Sequence, residues 1–561
     1  MLLDEKETII NLAKDYVARE KDEVFSSMIK TALDNDDYDY LYECFYTSLA
    51  FGTAGLRGVI GGGYNRMNTY VVEKTSQGLA TYLQSQFEEP SIIIAYDSRN
   101  YSQSFALTAA KVLASNNVKT YLFDTLHPVP MLSFSLKKIK ASAGIVITAS
   151  HNPSKYNGYK VYWTHGGQIT PPHDTSIADL ANNVKEIKRV DEATLRANGY
   201  LESAPEYLDT DYYNMVRDNL KRKELILNSK VVVSYSPIHG SGNVPVRTLL
   251  SSLNVETHVV KEQEEPNGDF PTVKMPNPES REAMSKAIEL AINTKADIVL
   301  GTDPDADRLG IAIPKTDKKD DYLLLTGNQI ATLISDYLLQ NDLNNGKRPL
   351  IVKSLVTTDL IKKIASANNA DCVDVLTGFK YIAEKIDEIE KGINKDNYFL
   401  FGCEESYGFL SNTSVCDKDA VSTAILAVEM MAYYKEKNMS LKDRLDEIYA
   451  NFGYYKELVF STDYEGASGK EKMASIMAMF RSIKAGDKLI NKEVASTEDL
   501  LASTDFPPAN VIIIKFTNGE KLIIRPSGTE PKIKYYIFLA LEEDMSQEGL
   551  DSILNEYRSQ L

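Results

Sequence analysis

Three times along this chain an apolar run of strand length is followed by a segment of helical periodicity and further apolar runs, and each set ends in a loop crowded with charged or hydroxyl side chains. The first set is "SIIIAYDS", "SQSFALTAAKVLASNN", "VKTYLFD" and "SAGIVITAS". The second opens at "KVVVSYSPIHGSG" and passes through "NVPVRTLLSSLN", "VETHVV" and a helical pattern near 280–293 to "ADIVLGT". The third runs from "RPLIVKSLVTTDLIKKIASANNADCVDVLTG" to "NYFLFGCEESYGF". Continuous apolar strands alternating with helices are the grammar of βαβ units and parallel sheets. Each set has the length of a domain, which suggests an internal repeat by duplication. The chain's end reads differently: "NVIIIKFTNGEKLIIRP" is a hairpin with Asn518-Gly519 at its turn, and "IKYYIFLALE" adds a strand. At the other end, Ile10, Leu12, Ala13, Val17, Phe25, Met28 and Ile29 recur at near-helical spacing and predict helices that pack ahead of the main fold.

A length of 561 residues exceeds what one core supports, so several domains are required. The net charge of −17 argues against a nucleic-acid partner, because a phosphate backbone is held by clustered Lys and Arg. No stretch reaches the roughly 18 uncharged apolar residues of a membrane span; the best, "AVSTAILAVEMMAYY", contains Glu429 and reads as a buried helix. The acidic start "MLLDEKETII" does not resemble a secretion signal. Cysteines 44, 372, 403 and 416 lie far apart without a CxxC, which predicts neither a disulfide framework nor a zinc site and fits a cytoplasmic protein.

The loops carry the chemistry. In "GTDPDADRLGIAI", Asp303, Asp305 and Asp307 alternate after a strand, so three carboxylates can converge on one hard cation such as Mg²⁺. An EF-hand is excluded because Arg308 and Pro314 stand where that loop needs Gly and Glu. In "TASHNPSKYNGYK", Ser150 ends a strand beside His151. The GxSxG elbow is missing, and on extended backbone neighbouring side chains point apart, so His151 is expected to be badly placed as a base for Ser150; a turn-capping role for the serine stays open. "RPSGTEPKIKYY" gathers Arg525, Ser527 and Thr529 around Gly528, with Lys532 and Lys534 nearby, an anion cradle by composition. "GCEESYGF" puts Glu404 and Ser406 at a strand end, groups suited to a polyhydroxy ligand. "GVIGGGYNR" lacks GxGxxG, and "GASGK" fails as a P-loop because Tyr464 occupies its first glycine position.

"GTAGLRG", "TASHNP", "DPDADR", "GCEESYG" and "RPSGTEP" occur in the order and at about the spacing that marks the α-D-phosphohexomutases, and from about Phe51 onward the chain resembles that family. "GTAGLRG" and "TGFKYIAEKI" place it nearest the branch holding bacterial-type α-phosphoglucomutases and the vertebrate phosphopentomutase. The resemblance implies an α/β fold of three similar mixed α/β domains and a smaller α+β C-terminal domain around a central cleft, with boundaries at 1–208, 209–318, 319–439 and 440–561. It implies an intramolecular phosphotransferase in which Ser150 is a phosphoserine and shares one Mg²⁺ with Asp303, Asp305 and Asp307. Arg57, His151 and Lys160 would surround the serine, with Lys160 a candidate general acid/base, and Arg308 would steady the transferring charge. Gly378, Lys380, Glu404, Ser406, Lys418, Arg525, Ser527, Gly528 and Thr529 would bind substrate. The expected reaction interconverts glucose 1-phosphate and glucose 6-phosphate through glucose 1,6-bisphosphate, in a monomer or weak homodimer whose partner is a small phosphosugar. Ribose and mannose phosphates are the alternative substrates; a bisphosphate synthase or a catalytically silent phosphosugar binder would share the motifs.

Overall fold

The computed structural model describes residues 3–52, 55–342, 346–464, 469–527 and 532–561. The chain divides into two compact units: Met1–Leu325 with Ala383–Ile393 and Ser406–Lys437, and Thr326–Ile382 with Asn394–Glu405 and Asn438–Leu561.

The first unit holds two mixed sheets of one plan. In one the order is Gly55–Val59, Tyr156–Trp163, Ala143–Ile147, Ser91–Tyr96, Lys119–Leu122, Leu201–Ser203. Its last four strands are mutually parallel and its first two are joined antiparallel. In the other the order is Tyr322–Leu324, Leu309–Pro314, Ile298–Thr302, Val232–Ser236, Glu256–Val259. Again the last three are parallel and the first two antiparallel. Both plans therefore contain a buried strand, Ala143–Ile147 or Ile298–Thr302, whose loop turns straight back into an antiparallel neighbour. Those two loops carry Ser150 and the three aspartates. Every residue of both strands is buried, which explains their unbroken apolar sequences.

The expected boundary at 318 is corrected by the second sheet, since Tyr322–Leu324 pairs antiparallel with Leu309–Pro314 and belongs to it. The charged segment 315–321 is the turn of that hairpin, not a linker; Lys315 N donates to Asp321 O across it at 3.0 Å.

Helices Leu3–Arg19, Glu23–Asp34 and Tyr38–Phe45 share a core of Ile9, Ala13, Tyr16, Ile29, Leu41, Cys44, Phe45 and Tyr70. The buried carboxylate of Glu20 docks them on the helix Thr69–Gln86 by accepting the Tyr16 hydroxyl at 2.9 Å and the Tyr70 N–H at 3.0 Å. The helix Ala420–Glu436 is buried nearly all round, Glu429 included. Among the described residues no helix is long and apolar enough to cross a membrane, and all four cysteines are free thiols.

In the second unit Arg348–Ser354 lies between parallel strands Asp371–Val375 and Asn397–Glu404. Asn397–Glu404 takes the place that Ala143–Ile147 and Ile298–Thr302 take in the other sheets, and the sequence "GCEES" ends it. The C-terminal sheet is antiparallel, in the order Tyr454–Asp463, Lys532–Leu541, Lys521–Pro526, Ile512–Phe516, Lys492–Asp499, Lys488–Leu489. Its inner face buries Phe460, Ile512, Ile514, Ile524, Tyr535 and Ile537 against Met477, Phe480, Leu550 and Tyr557 of the helices Gly469–Ser482 and Gln547–Gln560. Each such side chain contributes about 1.5–3 kcal/mol by leaving water. The expected hairpin is present, with Gly519 at φ +86° in its turn, where glycine meets no steric penalty.

Candidate active site

The strand ends at Ile147, and the chain then turns abruptly. Ser150 adopts φ +51°, the left-handed region, at a cost of about 1–2 kcal/mol for a residue with a Cβ. Its N–H donates to Thr148 Oγ1 at 2.8 Å. The expectation of extended backbone here is thereby overturned: the turn brings Ser150 Oγ within 3.2 Å of His151 Nδ1, so the two neighbours face one another. On the antiparallel return strand Gly158 is sterically required, since a Cβ there would stand 2.5 Å from Thr148 O and 2.8 Å from Leu56 O.

The serine hydroxyl donates to Asp303 Oδ2 at 2.8 Å, although 153 residues separate them. Asp303, Asp305 and Asp307 are all buried, with one carboxylate oxygen of each within 4.8 Å of the others. The Asp303 Oδ1 atom accepts the N–H groups of Asp307 at 3.1 Å and Arg308 at 3.0 Å, which folds the loop around its first carboxylate. Asp305 Oδ1 has no hydrogen-bond partner among the described residues. Burial and the two neighbouring carboxylates hold the Asp303 carboxyl well above its ordinary range. Burial works the same way on Asp307, but the cations of Lys418, Lys160 and Arg308 prevail and hold it low. An all-oxygen set of three buried carboxylates, of which Asp305 and Asp307 each have one oxygen that accepts no hydrogen bond among the described residues, fits a hard divalent cation.

Basic side chains close around this acid cluster. Lys160 Nζ lies 2.8 Å from Asp305 Oδ2 and 3.4 Å from Asp307 Oδ2. Burial pulls the Lys160 ammonium down, yet the two carboxylates overcome it and keep its pKa above the ordinary value. Lys418, read from sequence only as a basic position near sugar and phosphate, reaches Asp307 Oδ2 at 3.2 Å. It is steered by Asp417, which accepts from Tyr162 Oη and Gln168 Nε2, both at 2.8 Å. Arg308 pairs with Glu279 through Nη1 and forms a backbone bridge with Gly408. Arg57 is exposed and donates to Asn152 Oδ1 at 3.2 Å. Burial, with the cations of Arg308 and Arg57, depresses the His151 pKa far below its usual value, so the imidazole is neutral.

The second unit supplies a different group of expected residues. Glu404 is buried, and its Oε1 accepts the N–H of Gly378 at 2.8 Å; Gly378 has φ +121°, so no other residue suits that turn. Lys380, two residues on, lies over the Tyr381 ring with Nζ 5.2 Å from its centroid. Arg525, half-buried at the end of Lys521–Pro526, stands opposite Lys534 of the neighbouring strand, and Ser527 N donates to Lys532 O at 2.8 Å. Gly528 and Thr529 lie outside the described residues. Ser406, in the first unit, follows the strand Asn397–Glu404 and is half-buried.

Sequence reasoning missed Asp97 and Arg99, which follow the strand Ser91–Tyr96 and are both buried. The signal was available in "YDSRN": an acid and a base two apart, just past a strand of four apolar residues. It missed Thr148 as well, whose hydroxyl lies 2.6 Å from Asp97 Oδ2 and 3.2 Å from Asp305 Oδ2.

The chain that carries this site has known relatives. Residues 48–188, 210–316 and 326–452 match the alpha/beta/alpha domains I, II and III of the phosphoglucomutase/phosphomannomutase family. The phosphoglucomutase of Staphylococcus epidermidis is 36% identical over 545 residues, covering 94% of this chain and 98% of its own. That of Staphylococcus aureus is 38% identical over 510 residues, covering 89% of this chain and 90% of its own. Among solved structures, the parafusin (phosphoglucomutase) of Paramecium in its open form shares the fold with a TM-score of 0.70 at 17% identity, covering 92% of this chain and 95% of that one. A phosphoglucomutase/phosphomannomutase family protein from Burkholderia thailandensis does so with a TM-score of 0.66 at 16% identity, covering 92% and 97%. The chain belongs to the phosphoglucomutase/phosphomannomutase family. It is an enzyme, a phosphotransferase of isomerase type.

Proposed function

We propose that this enzyme interconverts α-D-glucose 1-phosphate and glucose 6-phosphate, with Ser150 as the phosphoryl carrier and glucose 1,6-bisphosphate as the intermediate. The observation that carries the reading is the Ser150 hydroxyl held at 2.8 Å from Asp303 inside the buried acid cluster. Phosphorylated Ser150 gives its phosphoryl group to the 6-hydroxyl of glucose 1-phosphate: the Ser Oγ–P bond breaks, a P–O6 bond forms, and the O6 proton passes to a base. Once the bisphosphate has turned over, Ser150 Oγ takes the phosphoryl group from O1, leaving glucose 6-phosphate and restoring the enzyme.

Asp303, Asp305 and Asp307, with an oxygen of the phosphorylated serine, would hold one Mg²⁺, which when bound neutralises charge on the group in transfer. Lys160, an ammonium bonded to Asp305, would give a proton to Ser150 Oγ as its bond to phosphorus breaks and recover it when the serine is phosphorylated again. Arg57, Arg308 and the neutral His151 set the polar wall around Ser150. Glu404 and Ser406 are assigned to the sugar hydroxyls. Gly378, Lys380, Lys418, Arg525, Ser527, Gly528 and Thr529 are assigned to the remaining substrate contacts. The domain division, with its second boundary moved past Leu325, belongs to the same reading, as does a cytoplasmic monomer or weak homodimer; four free thiols support a reducing compartment.

The test is mutase activity with Mg²⁺ and catalytic glucose 1,6-bisphosphate on glucose 1-phosphate, mannose 1-phosphate and ribose 1-phosphate. Strong preference for glucose 1-phosphate, lost on adding EDTA, supports the proposal. Preference for ribose 1-phosphate keeps the carrier and overturns the substrate, and no turnover with any of the three overturns both.

A further inference from the structure

We propose that Arg99 is the positioning residue of the serine loop, and that in each repeated sheet the loop after the central strand holds the functional loop beside it. The inference rests on Ser150 as the phosphoryl carrier. Arg99 follows the strand Ser91–Tyr96, which neighbours the strand leading to Ser150. Its Nη1 donates to Pro153 O at 3.0 Å and to Tyr156 O at 3.1 Å, and its Nη2 donates to the carbonyls of Ser150 and Asn152. One guanidinium thus gathers four carbonyl oxygens from residues 150–156. Carbonyl dipoles so arranged repel one another without a cation between them, and only a planar fork of five N–H groups spans four acceptors.

The arginine is itself fixed. Its side chain is fully buried, Nε lies 3.4 Å from Asp97 Oδ2, and the Phe270 ring covers it at 5.0 Å. Asp97 takes the Ser102 hydroxyl at 2.7 Å and the Thr148 hydroxyl at 2.6 Å, and Thr148 Oγ1 accepts the N–H of Ser150. Ser150 is therefore clamped at both ends of its own residue, at N–H through Thr148 and at C=O through Arg99. That clamp sets both backbone torsions of a left-handed serine and so the position of Oγ. Because the carrier must sit in line for two successive transfers, an error of about 1 Å is worth about 10²-fold in rate. Sealed from solvent, Arg99 cannot touch substrate, so its effect passes through the serine.

The same slot does the same work elsewhere. After Val232–Ser236, the Ser241 hydroxyl and N–H both donate to Pro304 O at 2.8 Å, inside the aspartate loop. Gly240 there admits no Cβ, which would come within 2.5 Å of Pro304 Cα. After Arg348–Ser354, Thr357 Oγ1 accepts the N–H of Glu405 at 3.1 Å, and the Ser354 hydroxyl donates to Glu405 Oε2 at 3.0 Å.

The experiment compares wild type with Arg99→Lys, which keeps the charge and loses the fork, and reads kcat, KM for glucose 1-phosphate, circular dichroism and phosphate on Ser150 by intact mass. The expected result is a folded variant whose kcat falls about 10²-fold while KM stays within about threefold. A folded variant with wild-type kcat, or one altered in KM alone, overturns the inference. If Arg99→Lys does not fold, Asp97→Asn, equal in size, decides by the same readout: a kcat about tenfold lower supports the clamp and an unchanged kcat overturns it. Wild type that neither isomerises nor carries phosphate on Ser150 sinks the carrier reading itself, and is told apart from failure of the clamp because the parent enzyme is then inactive.

Discussion

The acid cluster around Ser150 and the loops of the second unit assigned above to substrate are built in opposite ways. The first is buried and cross-bonded: Ser150, Asp303, Asp305 and Asp307 each expose at most 3% of their surface, and their polar atoms are tied to one another or to neighbours except Asp305 Oδ1 and Asp307 Oδ1. The second keeps its cations half-exposed, with Lys380 resting on its neighbour's ring and Arg525 at a strand end. Among the described residues of these loops Glu404 is the deeply held one, by the Gly378 N–H. Chemistry at one atom demands preorganisation in low dielectric, where charges act strongly. Under the proposed function, recognition of a sugar phosphate in two orientations would demand reach, which long side chains anchored at the base can supply.

If the contrast is real, changes in the buried cluster act on kcat and changes in the half-exposed loops act on KM. The largest effect is expected for Ser150→Ala: loss of the carrier lowers kcat at least ~10⁴-fold and abolishes phosphate uptake seen by intact mass. Lys160→Met comes next, lowering kcat about 10²–10⁴-fold with little change in KM, in steady-state kinetics with glucose 1-phosphate. Arg525→Ala should raise KM about 10–100-fold, the worth of a charge-assisted bond, and leave kcat within a few-fold; a large kcat loss with constant KM would erase the distinction.

The smallest effect tests support rather than chemistry. Asp419 caps the helix Ala420–Glu436 and accepts from Tyr212 Oη and Ser422 N, each at 2.8 Å. Burial pushes its carboxyl up to about 6 from 3.8. A raised acid binds its proton more tightly when folded, so its contribution to stability is complete below about pH 3.8 and is lost as pH rises through about 6. The loss amounts to about 3 kcal/mol at most. Asp419→Asn, which keeps the cap, should flatten that part of the fall in Tm between pH 4 and 7, with activity at neutral pH unchanged.

Most of this architecture can be read before any coordinate. Apolar strands such as "SAGIVI" and "ADIVLG" announce themselves because they are buried on both faces, and the aspartate spacing announces a cation because few other arrangements place three acids after such a strand. What stayed hidden depends on backbone handedness and on distance along the chain. The left-handed turn at Ser150 reverses the side-chain geometry that an extended chain would impose on His151. The clamp from Arg99 joins residues 51 to 57 positions apart, a pairing that no local pattern reveals. The hairpin turn before Tyr322 resembles a linker because turns and linkers draw on the same polar residues.

The shared sheet plan also bears on how such an enzyme can change. Serine, aspartate and glutamate loops occupy one topological address in three copies of a scaffold, each braced from the same adjacent loop. Under the proposed function, a mutation in "GCEESYG" would therefore retune which sugar is accepted while the serine loop, a separate tenant of a separate copy, keeps its geometry. On that reading, substrate preference could change one loop at a time, each loop being held by bonds within its own copy of the plan.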